Sequence, residues 1–500
     1  MNSRPFSIMT IATTAFLLAA TPLLSAAEKP RNVVVILADD MANTMGCVGT
    51  PALETPALDQ LSREGTMFTR AFSAASVCAP SRAALLTGMY PHSNGLWQNT
   101  QDGGIEFPHA SEKPAKPVRV RAAILEDIPT LNELLREHGY FTAISQKGHI
   151  QPAWKFPFDR GFDYHNKPEE YRRLAGEVKA AADGKPFFIL ANISAPHRPY
   201  KVHFGANGMP HEGPQKINRS DIQLPSWLPD TPVVRDDFAQ YLEATELTDQ
   251  CVAAVLEGLK ESGAAGETLV IFTSDNGMPY HRAKGAGYIA SLHMPLIIDG
   301  PGVRAGQVVS APVSLVDLAP TILASAGIPA PPTMQGRSLW PLLDGSQSSF
   351  PDRATILAPN SEHGLSRAVT DGNLYYIRNY EKPRGTIERP PLNSDVGNGK
   401  GWGNRAYDET IAAEGTAARE ILLDFIEGRI PDEELFSIED DPGCMKNLLP
   451  DPAYAAKLAE LRKAESEWAK ITDDRTSRKE LEEKFPKPFG KLKKDSEGKE

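Results

Sequence analysis

Short apolar stretches, rich in β-branched residues, alternate with helical patterns through much of the chain. These stretches cover residues 33–37, 142–145, 187–193, 269–273 and 296–298. Strands that are apolar on both faces are typical of a largely parallel sheet covered by helices on both sides. The pattern predicts an α/β fold with a large mixed, mainly parallel sheet sandwiched by helices.

Three other segments have the apolar spacing of helices. The first begins after Thr130, a good capping residue, and stops at His138 and Gly139. A long helix is predicted over residues 235–262, closed by Gly263, and a shorter one over residues 317–326.

The pattern changes after about residue 345. Residues 368–377, with a turn at Asp371 and Gly372, and residues 434–438 predict strands of a smaller antiparallel sheet. We therefore expect a main, catalytic domain over residues 28–345 and a C-terminal subdomain with a small antiparallel sheet and a helix over residues 346–478. A charged tail, rich in Lys and Glu, should fray over residues 479–500.

The first 27 residues have the pattern of a secretory signal peptide. Arg4 supplies a positive charge, an apolar run covers residues 8–24, and small residues lead to Ala27, near which we expect cleavage. The alternative is a membrane anchor, but the run is shorter than the roughly 20 residues of a spanning helix, and Pro22 interrupts it. No later segment is long and apolar enough to cross a bilayer. We expect a periplasmic or secreted protein without an integral membrane segment.

Composition and charge narrow the range of partners. The 500 residues are 41% hydrophobic and 23% charged, which is ordinary for a globular protein, and the formal net charge is −11. This charge argues against nucleic-acid binding. An anionic substrate would need a local cluster of cations, because the protein as a whole repels it.

Polar side chains follow the predicted strands, and ligands of an open parallel sheet bind at such strand ends. Asp39 and Asp40 follow one strand, and Asp275 and Asn276 follow another. Four such oxygen ligands favour calcium or magnesium over zinc. Singly, the two pairs would be ordinary turn residues, but their position at two strand ends of one sheet favours a metal site. Two further strand ends carry Lys147, His149, His197 and Arg198.

One cysteine stands out from the rest. The four cysteines of the chain are too scattered for a disulfide framework or a zinc site. Cys78 precedes Pro80, an Ala-Ala-Leu-Leu stretch and Gly88, which together predict a helix that begins at or just after Cys78. The free N–H groups of a helix start favour an anion. Cys78 is either a buried small hydrophobe or a thiolate nucleophile on this pattern alone.

The sequence Cys-Ala-Pro-Ser-Arg over residues 78–82, followed by Leu-Thr-Gly, is similar to the C-x-P-S-R element of type I sulfatases of the alkaline phosphatase superfamily. Further matches follow in the family's order over nearly all of the mature chain, at residues 39–40, 55–59, 91–92, 147–149, 196–198, 275–277, 336–339 and 434–436. The resemblance implies an alkaline phosphatase-like fold and hydrolysis of a sulfuric ester or sulfamate. Residues 275–284 resemble the branch that contains heparan N-sulfatase (sulfamidase).

In that family the cysteine is oxidised after translation, so the resemblance implies that a formylglycine-generating maturation enzyme converts Cys78 to formylglycine (3-oxoalanine). It also implies one calcium ion. The implied ligands are Asp39, Asp40, Asp275, Asn276 and an oxygen of modified residue 78. One hydroxyl of the aldehyde hydrate would attack sulfur and displace the sugar oxygen or nitrogen, and loss of the proton from the other hydroxyl would then expel sulfate and restore the aldehyde.

The resemblance also implies roles for nearby cations and histidines. Arg82 would hold the hydrate and offset carboxylate charge, and Lys147 and Lys284 would bind the sulfate oxygens. For Lys284, a solvated surface lysine is the alternative. His149 would accept the hydroxyl proton when sulfate leaves, and His197 would protonate the leaving group.

The implied substrate is a sulfated carbohydrate. The choice between N-sulfoglucosamine and another glycan sulfate, between N- and O-sulfate and between oligomeric states stays open. Two other functions also stay open: a formylglycine-dependent phosphate or phosphonate ester hydrolase, and a catalytically silent glycan-binding homologue. Substrate pockets in this fold are built from loops, so we expect residues 100–120 and 390–404 to set specificity.

Overall fold

The computed structural model describes residues 32–100, 122–198, 200, 217–350, 355–357, 360–361, 364–382 and 405–485. The expected signal peptide lies outside the described residues, as do both expected specificity loops apart from Thr100. Within the described part of the chain, no helix combines the length and the apolar character needed to cross a membrane.

The described residues form sixteen strands and thirteen α-helices. The strands are β1 (Asn32–Ala38), β2 (Thr66–Phe68), β3 (Ala71–Phe72), β4 (Phe141–Ser145), β5 (Arg160–Phe162), β6 (Phe187–Ile193), β7 (Thr268–Ser274), β8 (His293–Met294), β9 (Leu296–Asp299), β10 (Gln307–Val309), β11 (Val313–Ser314), β12 (Thr355–Leu357), β13 (Asn360–Ser361), β14 (Gly364–Thr370), β15 (Leu374–Glu381) and β16 (Glu433–Ser437). The helices are α1 (Pro56–Glu64), α2 (Cys78–Thr87), α3 (Pro91–Asn94), α4 (Leu131–Glu137), α5 (Pro168–Ala182), α6 (Pro232–Glu261), α7 (Ile289–Leu292), α8 (Leu318–Ser325), α9 (Trp340–Leu343), α10 (Arg405–Ala412), α11 (Ala417–Ile426), α12 (Ala455–Ile471) and α13 (Arg478–Lys484).

The central sheet has eight strands in the order β10-β2-β9-β7-β1-β6-β4-β5. Strand β9 runs antiparallel to both of its neighbours, and the other pairs are parallel. A second, three-stranded sheet has the order β11-β3-β8. The predicted large mixed, mainly parallel sheet is confirmed.

Both faces of the central sheet are buried. On β1, Val33, Val35 and Leu37 pack in one core with residues of α2, α4 and α8. Val34 and Ile36 point to the other face and pack with residues of α1, α5 and α6. Successive side chains of a strand point to opposite faces, so an uninterrupted apolar strand requires helices on both sides. The predicted sandwich is therefore confirmed.

The predicted helices form with small shifts at their ends. The side chain of Thr130 accepts a hydrogen bond from the backbone N–H of Glu133, and the Glu133 carboxylate accepts one from the backbone of Thr130, which is a capping box at the start of α4. Helix α6 begins three residues before the predicted start, because Thr231 caps it and Pro232 suits a first helical position.

The C-terminal part contains a five-stranded antiparallel sheet in the order β12-β14-β15-β16, with β13 paired to β14, and this confirms the predicted small sheet. Tyr375, Ile377 and Phe436 pack against Phe72 and Tyr288 of the main part. The other face packs against α12. The described residues from 32 onward form one compact unit, and the predicted border at residue 345 stays a prediction.

The start of the charged C-terminal segment differs from the expectation. Residues 479–484 were expected to fray, but they belong to α13. Leu481 of this helix is buried with Trp97 and Leu365. The prediction of fraying is wrong for these residues because Leu481 and the adjacent Phe485 bury apolar surface and dock the short helix.

Candidate active site

Cys78 is the first residue of α2 and lies at the carboxyl end of the central sheet. Val77 precedes the helix in extended conformation, and Gly88 ends it in left-handed conformation, with φ 63°. The Cys78 side chain is only 1% exposed. Its Sγ lies 3.4 Å from Asp39 Oδ1 and 4.0 Å from Asp40 Oδ1. The predicted helix start at Cys78 is confirmed.

The environment of Cys78 opposes an ordinary thiolate. Burial raises the pKa of the Cys78 thiol to about 12, although Lys147 and Lys284 act in the other direction. An unmodified thiol at this position therefore keeps its proton at neutral pH and is a poor nucleophile. This opposes the thiolate alternative for Cys78.

Two adjacent strands bring four oxygen-bearing side chains together beside Cys78. Strands β1 and β7 are parallel neighbours in a register that pairs Ala38 with Ser274. The residues that follow them therefore meet: the backbone N–H of Asp40 donates to Asp275 Oδ1 at 3.2 Å, and Asn276 Nδ2 donates to Asp40 Oδ1 at 2.7 Å. Asp39, Asp40, Asp275 and Asn276 are all buried.

The buried carboxyl groups of this cluster lie close together and shift each other's pKa values. Burial by itself would raise the pKa of Asp39, but the charges of Lys147 and Arg82 hold it well below its usual value. Burial and the charge of Asp39 raise the pKa of Asp275 above its usual value. Three buried carboxyl groups this close demand cations.

The donor set fits a divalent cation that prefers oxygen. One atom each of Asp39, Asp40, Cys78 and His197 lies within 4.8 Å of the others. Asn276 Oδ1 is buried and has no hydrogen-bond partner among the described residues, as expected for an oxygen intended for a metal ion. Carboxylate and amide oxygens suit calcium or magnesium. His197, which the sequence placed at the leaving group, is close enough to belong to this cluster.

Arg82 lies one helical turn after Cys78 and holds the carboxylates in place. Its Nε donates to Asp275 Oδ2 at 2.7 Å, and a terminal nitrogen lies 3.7 Å from Asp39 Oδ2. Its other terminal nitrogen donates to Asn192 Oδ1 at 2.8 Å. Asn192 was missed from sequence, although a lone amide in the apolar stretch 187–193 was a usable signal, because buried polar groups need partners.

Lys147 and Lys284 flank the carboxylates from two sides. Lys147 Nζ lies 2.6 Å from Asp39 Oδ2, and Lys284 Nζ lies 2.6 Å from Asp40 Oδ1. Their side chains are 23% and 10% exposed, so both ammonium groups reach the edge of the site. Burial opposes their charged forms, but Asp39 and Asp40 more than compensate and raise the pKa of both lysines. The surface alternative for Lys284 is wrong.

Both predicted histidines lie near the acidic cluster, and burial disfavours the charged form of each. His197 Nε2 lies 3.7 Å from Asp40 Oδ2, and burial lowers the pKa of His197 to about 4. His149 Nε2 lies 3.2 Å from the carbonyl oxygen of Thr100. Burial, reinforced by Lys147, lowers the pKa of His149 well below its usual value. A neutral His149 can accept a proton, whereas His197 must first be charged to donate one.

Comparison with known proteins decides the family. The sulfatase family model matches residues 31–328. The chain belongs to the sulfatase family. Human N-sulphoglucosamine sulphohydrolase is 30% identical to this sulfatase over 486 residues, which cover 89% of this chain and 91% of the relative. An ulvan-active sulfatase of Formosa agariphila is 29% identical over 487 residues, with 89% and 76% coverage.

The fold of this sulfatase is shared more widely. A phosphonate monoester hydrolase from Silicibacter pomeroyi superimposes with a TM-score of 0.57 at 20% identity, over 89% of this sulfatase and 96% of the other chain. At this identity the likeness shows the fold alone. The predicted family, the likeness to the N-sulfatase branch and the enzyme class that hydrolyses sulfuric esters or sulfamates are confirmed.

Proposed function

We propose that this sulfatase binds calcium, carries formylglycine at residue 78, and releases sulfate from a sulfated carbohydrate. The observation that carries the proposal is the position of Cys78. It is the first residue of α2, its Sγ contacts Asp39 and Asp40, and the charges of Lys147 and Lys284 act on it. A site with a reactive residue, acidic ligands and flanking cations suits the transfer of a sulfuryl group better than it suits a binding function.

The side chains around residue 78 have two roles, to attract the anionic substrate and to hold the metal ion. Lys147, Lys284 and Arg82 bring positive charge to a site that an anionic substrate must enter against a net charge of −11. Calcium, held by Asp39, Asp40, Asp275, Asn276 and residue 78, would supply Lewis-acid activation and orient a sulfate oxygen.

Two histidines would move the protons. Neutral His149 accepts the proton that leaves residue 78 when sulfate departs. His197 donates to the oxygen or nitrogen of the leaving sugar; burial disfavours the charged form of His197, and the charge of Asp40, 3.7 Å away, opposes that effect.

N-sulfoglucosamine is the first candidate substrate. The support is the human relative, whose name states activity on this sugar and which aligns over 91% of its length. O-sulfated sugars are the second candidate, because the ulvan-active relative is nearly as similar. A phosphate or phosphonate ester is the third, because a phosphonate hydrolase shares the fold.

Sulfate release from a panel of substrates tests the proposal. The panel holds N-sulfoglucosamine, 6-O-sulfoglucosamine, sulfated galactose oligosaccharides and a phosphate monoester, and the peptide that contains residue 78 is weighed in parallel. We expect a mass corresponding to formylglycine and sulfate release from N-sulfoglucosamine. Release from an O-sulfated sugar alone would change the substrate, preference for the phosphate ester would overturn the sulfatase proposal, and unmodified, inactive protein would favour a silent homologue.

Maturation and location belong to the same proposal. The Cys-x-Pro-Ser-Arg sequence around Cys78 supports recognition by a maturation enzyme, and the first 27 residues support export to the periplasm or outside the cell. N-terminal sequencing of protein recovered from the exporting host should begin near residue 28. An N-terminus that retains the apolar run would contradict cleavage.

A further inference from the structure

Gln146 has an unusual backbone conformation directly before Lys147. It follows strand β4, and its φ of 56° lies in the left-handed region, which disfavours residues with a Cβ. Its backbone N–H donates to the Phe162 carbonyl oxygen at 2.7 Å. The turn that sends Lys147 toward the site therefore starts from a strained residue, and strain of this kind persists only when the surroundings hold it.

The Gln146 side chain is what holds this turn. It is buried, and its Nε2 donates to Asn166 Oδ1 at 3.2 Å and to Ser194 Oγ at 3.0 Å. Its Oε1 accepts from the Ser194 backbone N–H at 2.8 Å and from the Tyr171 hydroxyl at 3.2 Å. These four bonds use the whole capacity of an amide, two donors and two lone pairs.

Asn166 and Ser194 complete the arrangement. Asn166 also has a left-handed backbone, with φ 58°. Its Nδ2 donates to Ser194 Oγ at 2.8 Å, and its Oδ1 accepts from the Ser194 backbone N–H at 2.9 Å. We call Gln146, Asn166 and Ser194 the amide clamp. A largely buried polar network that shares this many hydrogen bonds favours one geometry.

The amide clamp joins two loops that carry candidate catalytic side chains. On one side Gln146 adjoins Lys147, whose Nζ lies 2.6 Å from Asp39. On the other side Ser194 follows β6, and its carbonyl oxygen accepts from the His197 backbone N–H at 2.9 Å. The loops after β4 and β6 are thereby joined to each other by hydrogen bonds next to the site.

We infer that Gln146 is a positioning residue. Through the amide clamp it fixes the positions of Lys147 and His197 relative to each other, so that both can act on one substrate. The inference rests on the proposed function, because that function assigns Lys147 and His197 their roles. A residue that acts in this way should affect turnover more than binding, since a displacement of about 1 Å costs on the order of 100-fold in rate.

The test compares three variants with the wild-type enzyme on the substrate of the panel that the wild type cleaves. For Gln146→Ala we expect kcat to fall by about 10- to 100-fold and KM to change by less than about threefold. Gln146→Gly removes the amide but accepts a φ of 56° without strain, and we expect the same loss of kcat with a higher melting temperature than the alanine variant. Gln146→Glu keeps the acceptor but sets a carboxylate oxygen against Asn166 Oδ1, so it should lose at least as much kcat as the alanine variant.

Gln335→Ala is the matched control. Gln335 also makes two amide hydrogen bonds, to the Tyr90 backbone N–H and to Ser93 Oγ, near the opposite end of α2. Its loss should lower the melting temperature and leave kcat unchanged. If Gln146→Ala fails to fold, Ser194→Ala replaces it in the test, because it removes one hydroxyl of the amide clamp. We again expect kcat to fall while KM changes little.

Each result has one meaning. Wild-type kcat in Gln146→Gly would show that only the backbone conformation matters and would overturn the inference while the proposed function stands. Equal losses of kcat in Gln146→Ala and Gln335→Ala would reduce the role of Gln146 to stability. A wild-type enzyme that releases no sulfate from the panel would overturn the proposed function, and the inference with it.

Discussion

Two regions of this sulfatase bury charged groups, and they do so in opposite ways. Around Cys78, three carboxylates meet Arg82, Lys147 and Lys284, and both lysines reach the edge of the site. In the C-terminal part, Arg367 of β14 donates to both carboxylate oxygens of Asp474 at 2.8 and 2.6 Å, and both side chains are 0% exposed.

The difference teaches that buried charge alone does not indicate function. In the Arg367–Asp474 pair a cation meets an anion, and Arg367 also donates to the backbone carbonyl oxygens of Ser366 and Arg475. The site crowds three carboxylates and leaves Asn276 Oδ1 without a hydrogen-bond partner among the described residues. Crowded carboxylates and cations at the edge of the site distinguish a candidate ligand site from a closed structural pair.

The largest effect should come from residue 78. Cys78→Ala removes the side chain that becomes the nucleophile, so we expect turnover to fall by at least about 10⁴-fold, as when other enzymes lose their nucleophile. The melting temperature should stay close to that of the wild type. Cys251→Ala, at another buried cysteine, is the control and should keep full turnover. Strong residual hydrolysis by Cys78→Ala, measured as sulfate release, would defeat the proposed mechanism.

Disruption of the Arg367–Asp474 pair should have the opposite effect, a loss of stability without a loss of turnover. Arg367→Met leaves Asp474 buried without its partner, and we expect the free energy of unfolding to drop by about 3 to 5 kcal/mol while kcat stays at the wild-type value. Denaturant titration and sulfate release at a permissive temperature measure the two quantities. The double variant Arg367→Met with Asp474→Leu should regain much of the lost stability. A large fall in kcat without a loss of stability would erase the contrast between the regions.

Stabilisation by metal ions should depend on the site around Cys78 and not on the Arg367–Asp474 pair. We expect calcium at 100 times its dissociation constant to add about 2.7 kcal/mol to the free energy of unfolding of the stripped protein. Magnesium should add less, because it demands a smaller octahedral site and gives up water reluctantly. Arg367→Met should keep the calcium increment, and Asn276→Ala should lose most of it. Equal stabilisation and reactivation by magnesium would remove the basis for calcium.

The smallest effect concerns His92, which packs against Trp468 beside the closed pair, with its Nδ1 3.8 Å from Asp474 Oδ1. Burial lowers the pKa of His92 to about 3, although Asp474 opposes the shift. The folded protein thus holds His92 neutral, while the unfolded chain binds a proton below pH ~6.5. This contribution to stability is complete above pH ~6.5 and is lost as the pH falls, by about 1.4 kcal/mol per pH unit.

Substitution of His92 should therefore flatten the acid side of the stability curve. Between pH 7 and pH 5 we expect His92→Gln to lose roughly 2 kcal/mol less than the wild type, as measured by denaturant titration at the two pH values. His165→Gln, at an exposed histidine, is the control and should follow the wild type. An unchanged pH dependence in His92→Gln would show that His92 does not cause the acid loss.

Particular elements show how far the fold follows from local sequence. Strands β6 and β9 and helix α4 form within about one residue of their predicted bounds, because burial on both faces and a capping residue leave clear local patterns. Helix α13 was missed because its docking depends on Leu481 and Phe485, which meet Trp97 and Leu365, and these are distant in sequence. The pattern of the charged segment alone contains no sign of that contact.

The same division holds at the site. From sequence, a short motif and the polar ends of strands predicted the members of the candidate site: Asp39, Asp40, Cys78, Arg82, Lys147, His149, His197, Asp275, Asn276 and Lys284. Only the tertiary structure decided that Lys284 is buried against Asp40, that Asn192 holds Arg82, and that Gln146 ties two loops together. Residue types and strand ends are local properties of the chain, whereas these contacts depend on the register of parallel strands that are far apart in sequence and on the packing of helices across them.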